Sequence, residues 1–319
     1  YDAILKGRNG KQTVRSIAGG IGVPVDDTYL IEPETGKDIV STIDVFIQEV
    51  TEKALMSMMV KNEAQTGVAI VMEVKTGKIK AIANLGKVGE NKYAEDLNYA
   101  ITPTEPGSTF KLVTLLSALE DGKVNLNSRV NLEGGTWKVS GQTVYDSEKH
   151  GKFDASVLEA FEESSNVGMA KIAMTHYSNN VNEYFKHLTK LRLDSTSGLD
   201  LVGERQPRLV KPGSRLWGPT TLPWMAFGYN IEITPLQTLN LYNTIANNGI
   251  MMRPYLVNSI QEEGRIIKSI SPKVYNAQLC KPTTIRDLRI ALEGVCINGT
   301  GKALFKNSLY KKSAQIKPL

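Results

Sequence analysis

Residues 105–113 read EPGSTFKLV. Pro106 and Gly107 break the chain, and an apolar helix follows with Ser108 in its first turn. Lys111 stands three residues on, so it shares the helical face of Ser108 and lies over it. A serine hydroxyl is a poor nucleophile until a neighbouring base removes its proton. Lysine serves as that base only when burial or a nearby cation lowers its pKa. The helix start adds a positive end and free backbone N–H groups near a reacting carbonyl oxygen. Ser108 and Lys111 are thus a candidate nucleophile and base.

Ser-x-x-Lys alone is a weak signal, since Ser308 and Lys311 repeat it in NSLYK. A helix cap followed by a solvated lysine is the usual meaning of the pattern. Context separates the two, because only Ser108 has the Glu-Pro-Gly lead-in and an apolar helix behind it. A second candidate lies in EESSNVGMAKIA, where Ser164 and Asn166 form Ser-x-Asn. The Ser164 hydroxyl could relay a proton to a leaving amine, and the Asn166 amide could hold a substrate peptide group. Ser178-Asn179-Asn180 shares the pattern. Ser164 stands out by following Ser108 at about fifty residues and leading into an apolar helix.

The rest of the chain bounds the answer. Its 319 residues suffice for one large domain or two ordinary ones, and 41% hydrophobic with 22% charged residues is a globular composition. A net charge of +5 with interleaved signs is too mild to indicate nucleic acid. No apolar run approaches the roughly 18 residues of a membrane-spanning helix. Two cysteines, Cys280 and Cys296, exclude a disulfide framework, and no Cys/His cluster has zinc spacing. His150, His176 and His187 fall in no metal or triad pattern.

Residues 1–32, rich in Gly, Lys and Arg, read as a linker or the tail of a preceding module. A helix is expected from about residue 45, capped by Thr42 or Asp44. Val45, Phe46, Val50, Ala54 and Met58 recur near helical spacing, which predicts a buried face, with the methionines as core filler. VAIVMEV and IKAIAN then flank Lys75-Thr76-Gly77-Lys78, a strand–glycine turn–strand arrangement. Helical patterns dominate residues 108–190, residues 193–214 are loop-like, a helix follows Thr234-Pro235 and ends at Gly249, and another covers TTIRDLRIALEGVCI. Helices on a small, early sheet imply an α+β or α/β layered domain.

Six segments, STID..IQ, TGVAIVMEVKTGKIKAIAN, EPGSTFKL, SSNVGMAKIA, FGYNIEITPLQ and GTGKAL, occur in an order that resembles the transpeptidase domain of class B penicillin-binding proteins, leaning to the division-specific type. The resemblance covers about residues 33–315, with Asn230 standing where the family usually has glycine. It implies an α+β penicillin-binding/serine β-lactamase-like transpeptidase fold: a central antiparallel sheet with helices on both faces plus a helical subdomain. It divides the chain into the tail of an N-terminal pedestal module (residues 1–32) and a transpeptidase domain (residues 33–319). In this family a Lys-Thr/Ser-Gly follows the other two motifs, so Lys75-Thr76-Gly77 at the first hairpin is only a turn. After GTGKALFKNSLY the sequence gives Lys312-Ser313-Ala314 and no glycine. Three explanations compete: a degenerate motif, an inactive enzyme, or residues absent from this sequence. The last is favoured, because the family's closing strands and final helix are also missing, and Lys312 and Ser313 stay unassigned.

The implied activity is a serine D,D-transpeptidase that cross-links peptidoglycan stem peptides and is inhibited by β-lactam antibiotics. Ser108 would be the nucleophile, Lys111 its base, Ser164 a proton shuttle and Asn166 a ligand of the peptide amide, with no metal or organic cofactor. A septal glycosyltransferase and divisome proteins are the implied partners. The implied location is the periplasmic face of the cytoplasmic membrane, through an anchor upstream of this chain. A serine β-lactamase would need a carboxylate aimed at the acyl group, for which Glu162 and Glu163 are the nearest acids in sequence. A β-lactam sensor or scaffold without activity would fit a damaged third motif.

Overall fold

The computed structural model of this chain describes residues 1–148 and 150–305. A short helix α1 (Asp2–Leu5) leads into an antiparallel hairpin of β1 (Lys11–Ile17) and β2 (Ile21–Ile31). Residues 1–32, read from sequence as a linker or the tail of a preceding module, thus contain a short helix and a paired hairpin. Gly19 and Gly20, both at positive φ, reverse the chain between two segments rich in β-branched residues. After β3 (Asp38–Ser41), Asp44 caps α2 (Val45–Lys61) by accepting the N–H groups of Phe46 and Ile47.

An antiparallel sheet follows, with β5 (Ile79–Gly89) between β4 (Thr66–Met72) and β6 (Lys92–Ala94). Lys75-Thr76-Gly77 is the turn between β4 and β5. The Gly77 N–H donates to Glu73 O at 2.9 Å, with Gly77 at a φ of 79°. That turn leans on Arg253, whose carbonyl oxygen would lie 2.5 Å from a Cβ at Gly77.

Helix α2 covers one face of this sheet. Strand alternation turns Gly67, Ala69, Ala81 and Ala83 towards it, small residues that admit a close helix. A Cβ at Gly67 would stand 2.3 Å from Met59 Sδ. The helix rests on Gln48, Thr51, Leu55 and Met59, whereas Val45, Phe46, Val50, Ala54 and Met58 are exposed. The expected buried face is therefore the wrong one. The Gln48 carboxamide decides the rotation: it accepts the Ile82 N–H at 2.8 Å and donates to Ile82 O at 2.9 Å. Two polar bonds to a strand edge override an apolar stripe in setting which way this helix faces.

Past a 3-10 turn (Gly107–Phe110), α3 (Lys111–Glu120) runs through the centre of the molecule. Leu112, Val113, Leu115, Leu116 and Ala118 are buried on every side of it, the pattern of a helix with no solvent face. Within residues 129–156 lie two small antiparallel pairs, which interrupt the helical patterns expected to dominate residues 108–190. They are β7 (Arg129–Asn131) with β10 (Asp154–Ser156), and β8 (Thr136–Val139) with β9 (Gln142–Tyr145). Gly135 and Gly141 at positive φ stop helix propagation there. The helical pattern at residues 156–177 is in turn two helices, α4 (Val157–Glu162) and α5 (Asn166–Tyr177), and α6 (Val181–Lys190) follows.

The segment with β11 (Arg208–Leu209), α7 (Thr221–Met225) and β12 (Ile231–Glu232) returns the chain to the start of α3. Helix α8 (Pro235–Ala246) starts at a capping box of Thr234 and Gln237 and packs against β4. Strands β13 (Met251–Met252), β14 (Val257–Glu262), β15 (Arg265–Ser269) and β16 (Val274–Asn276) follow, with β14 lying between β15 and β3. Helix α9 (Pro282–Ile297) closes over α3 and α4 before a short α10 (Lys302–Phe305). The architecture is α+β, an antiparallel sheet with α2 and α8 against it and a helical part built around α3.

Candidate active site

Three chain segments, distant in sequence, meet at the start of α3. Ser108 occupies the 3-10 turn before the helix, its side chain exposed, in a first turn whose N–H groups lack intrahelical acceptors. Two backbone contacts hold this lead-in. Thr104 and Ile233 exchange N–H···O bonds of 3.0 Å, and the Gly107 N–H donates to Gly228 O at 3.2 Å. Asn230 takes a φ of 59°, a left-handed conformation that Asn tolerates better than most residues, so glycine is not required there.

Lys111 Nζ lies 3.0 Å from Ser108 Oγ, as their three-residue spacing predicts. The lysine is 1% exposed. Burial pushes its pKa down to about 8, against the opposing pull of the Asp146 carboxylate. Nζ also reaches Ser164 Oγ at 2.8 Å and bonds the Ser164 carbonyl oxygen. A neutral amine has two N–H donors and one lone pair. It can donate to both Ser164 oxygens and still accept the Ser108 proton, which is the arrangement a base requires.

Ser164 reaches this position because the chain breaks between α4 and α5. Its φ is 56°, in the left-handed region that serine seldom occupies, a strain of about 1–3 kcal/mol. Ser165 restarts the helix as N-cap, its Oγ accepting the Gly168 N–H at 2.8 Å. Asn166 is the first residue of α5, and its Nδ2 donates to Tyr145 O at 2.7 Å, which fixes the carboxamide plane. The GTG turn supports the break from behind: the Thr300 N–H donates to Glu162 O, and a Cβ at Gly299 would overlap that oxygen.

The competing matches lie elsewhere. Ser178 caps the far end of α5, while Ser308, Lys311, Lys312 and Ser313 lie outside the described residues. Glu162 is buried against α9, where Asn298 Nδ2 donates to it, and burial raises its pKa. Glu163 pairs with Lys152. Neither acid is committed to Lys111 or Ser108. Sequence reading missed a third group, Asp146, with its neighbours Ser165 and His150. The i,i+4 spacing of Asp146 and His150 was its one available sign.

An exposed serine one turn from a buried lysine, faced by a second serine and held on this sheet-and-helix frame, defines the penicillin-binding and serine β-lactamase-like class. Comparison with known proteins narrows this: the penicillin-binding protein transpeptidase domain matches residues 67–314. The chain belongs to that family. It is similar to stage V sporulation protein D of Bacillus subtilis (28% identical over 315 residues, 96% of this chain and 48% of the relative). It is also similar to the peptidoglycan D,D-transpeptidase FtsI of Buchnera aphidicola (30% over 281 residues, 86% of this chain and 47% of the relative). The apo transpeptidase domain of Burkholderia pseudomallei penicillin-binding protein 3 superposes with a TM-score of 0.66 at 26% identity, covering 80% of this chain and 70% of that one. The chain spans about half the length of the curated relatives it matches.

Proposed function

We propose that this chain is a serine D,D-transpeptidase domain that cross-links peptidoglycan stem peptides. The observation that carries the reading is the 3.0 Å approach of the buried, low-pKa Lys111 amine to the exposed Ser108 hydroxyl. Neutral Lys111 takes the Ser108 proton while Oγ attacks the carbonyl carbon of the penultimate D-Ala of a donor stem. The backbone N–H of Ser108 donates to the developing oxyanion. Through Ser164, whose hydroxyl touches Lys111, the proton passes to the nitrogen of the departing terminal D-Ala. An amine of a neighbouring stem then attacks the Ser108 ester carbonyl; as the new amide bond forms and the ester C–O bond breaks, the proton that this amine loses passes by way of Ser164 and Lys111 to Ser108 Oγ. Asn166, fixed on Tyr145, holds the peptide amide of the donor.

A β-lactam acylates the same serine, because its strained amide presents the same carbonyl to Oγ. Mass spectrometry after benzylpenicillin treatment tests this directly: the adduct is expected on the peptide containing Ser108, and Ser108→Ala is expected to label nowhere. An adduct on another residue defeats the assignment.

The reading extends to septal wall synthesis, alongside a glycosyltransferase and divisome proteins at the periplasmic face of the cytoplasmic membrane. The likeness to FtsI and to a sporulation protein supports it. Among the described residues no helix is long and apolar enough to cross a membrane. Depletion is expected to give filaments, and round cells would point to elongation instead.

A further inference from the structure

We propose that Asp146 is a positioning residue, clamped between Ser165 and His150, which holds the Ser164 turn against Lys111. The proposal rests on the roles of Ser108, Lys111 and Ser164 given above, and adds a group those roles do not use. The Asp146 side chain is 4% exposed. Its Oδ2 accepts the Ser165 hydroxyl and His150 Nε2, each at 2.8 Å, and its Oδ1 accepts the Val167 N–H at 2.9 Å. Two of these three donors belong to the start of α5, in the residues directly after Ser164. The carboxylate therefore fixes the helix end from which the strained Ser164 hangs, and the positive end of that helix favours its charge.

His150 is held in one tautomer. Its Nδ1 accepts the Lys152 N–H at 3.0 Å, so Nε2 carries the proton donated to Asp146. Among the described residues, two titratable groups face Asp146 directly. Lys111 approaches from α3, with His150 on its own loop. Farther out, Lys171 with Glu133 and Lys152 with Glu163 are paired with each other. Among the described residues, Asp146 is also the charged group that raises the pKa of Lys111 against the effect of burial. It thus has two separable effects: through its hydrogen bonds it places Ser164, and through its charge it favours the ammonium form of Lys111.

Those effects predict opposite signs in one experiment. The acylation rate of Ser108 by fluorescent penicillin is measured against pH for the wild type, Asp146→Asn and Ser165→Ala, with mass spectrometry locating the adduct. In Asp146→Asn the high-pH plateau is expected to fall about tenfold or more, the scale of a lost charged hydrogen bond. The midpoint of its acid limb is expected to move to lower pH, because the amine loses a stabilising anion. Mere loosening of the fold would lower the plateau without that downward shift. In Ser165→Ala the plateau falls and the midpoint stays. An Asp146→Asn profile with plateau and midpoint unchanged, or with the midpoint raised, overturns the proposal. Should thermal melts find Asp146→Asn unfolded, Ser165→Ala decides: a lowered plateau supports the clamp and an unchanged one overturns it. Wild-type protein that never labels at Ser108 overturns the reading of the site and this inference with it, whereas normal wild-type labelling beside unaltered variants overturns the inference alone.

Discussion

Gly107 and Gly228 touch backbone to backbone: a Cβ at Gly228 would stand 1.9 Å from Gly107 O, and Gly228 has a φ of 95°. The residue immediately before Ser108 is thus held by a segment more than a hundred residues away in the chain. Gly228→Ala is expected to destabilise the fold by more than 1 kcal/mol, since both the space and the backbone angle exclude a methyl group. Its acylation of Ser108 should slow even where the protein remains folded. Chemical denaturation and fluorescent-penicillin labelling measure the two effects, and a variant equal to wild type in both would show that this contact does not position the serine.

Lys111 dictates a pH dependence. With its pKa pushed down to about 8, the ammonium form dominates below that value and has no lone pair for the Ser108 proton. Acylation should therefore rise with pH through about 8, and Lys111→Met should abolish it. Stability follows from the same shift. Between about 8 and the ordinary 10.5 the unfolded state binds a proton that the folded state does not. The burial penalty is complete below this window and relieved above it, so stability rises with pH across it, by up to about 3 kcal/mol. Lys111→Met should flatten that slope in denaturation curves recorded on either side of the window.

Ser164 combines backbone strain with a hydroxyl that contacts Lys111, and two substitutions separate these. Ser164→Gly relieves the positive φ, whereas Ser164→Ala retains it, so the glycine variant should be the more stable by about 1 kcal/mol. Both lack the hydroxyl and should acylate roughly a hundredfold more slowly, the scale of a lost proton relay. Melting temperatures in the opposite order would argue against strain at this residue.

The orientation of α2 can be tested on its two rows. Phe46 is 81% exposed and Met59 is 3% exposed. Phe46→Ser should alter stability by less than about 0.5 kcal/mol, while Met59→Ala should cost about 2–5 kcal/mol. Urea denaturation of each variant checks both, and comparable losses would restore the stripe through Phe46 as the buried face.

Short-range signals were read reliably. The spacing of Ser108 and Lys111 determines their approach, because three residues make about one helical turn. The Asp44 cap, the glycine turn at Lys75–Gly77 and the Thr234 start of α8 were likewise fixed by neighbours within four residues. The ordered segments from STID to GTGKAL were enough for the family and for the α+β class. Helix content at residues 129–156 was misread, since composition there does not show where glycine-led turns interrupt it.

What the sequence could not contain was each relation set by contacts between distant segments. Two apolar rows lie side by side on α2, and only the Gln48 bonds to the edge of β5 select the row that meets the sheet. Asp146 is eighteen residues before Ser164 and thirty-five after Lys111, and no periodicity links such positions. Its carboxylate joins them because the β8–β9 pair folds over the start of α5. The sequence by itself determined the approach of Lys111 to Ser108, since one helical turn suffices to bring them together. Tertiary structure alone decided how deeply the amine is buried, and so its charge, because desolvation depends on every segment that closes around it.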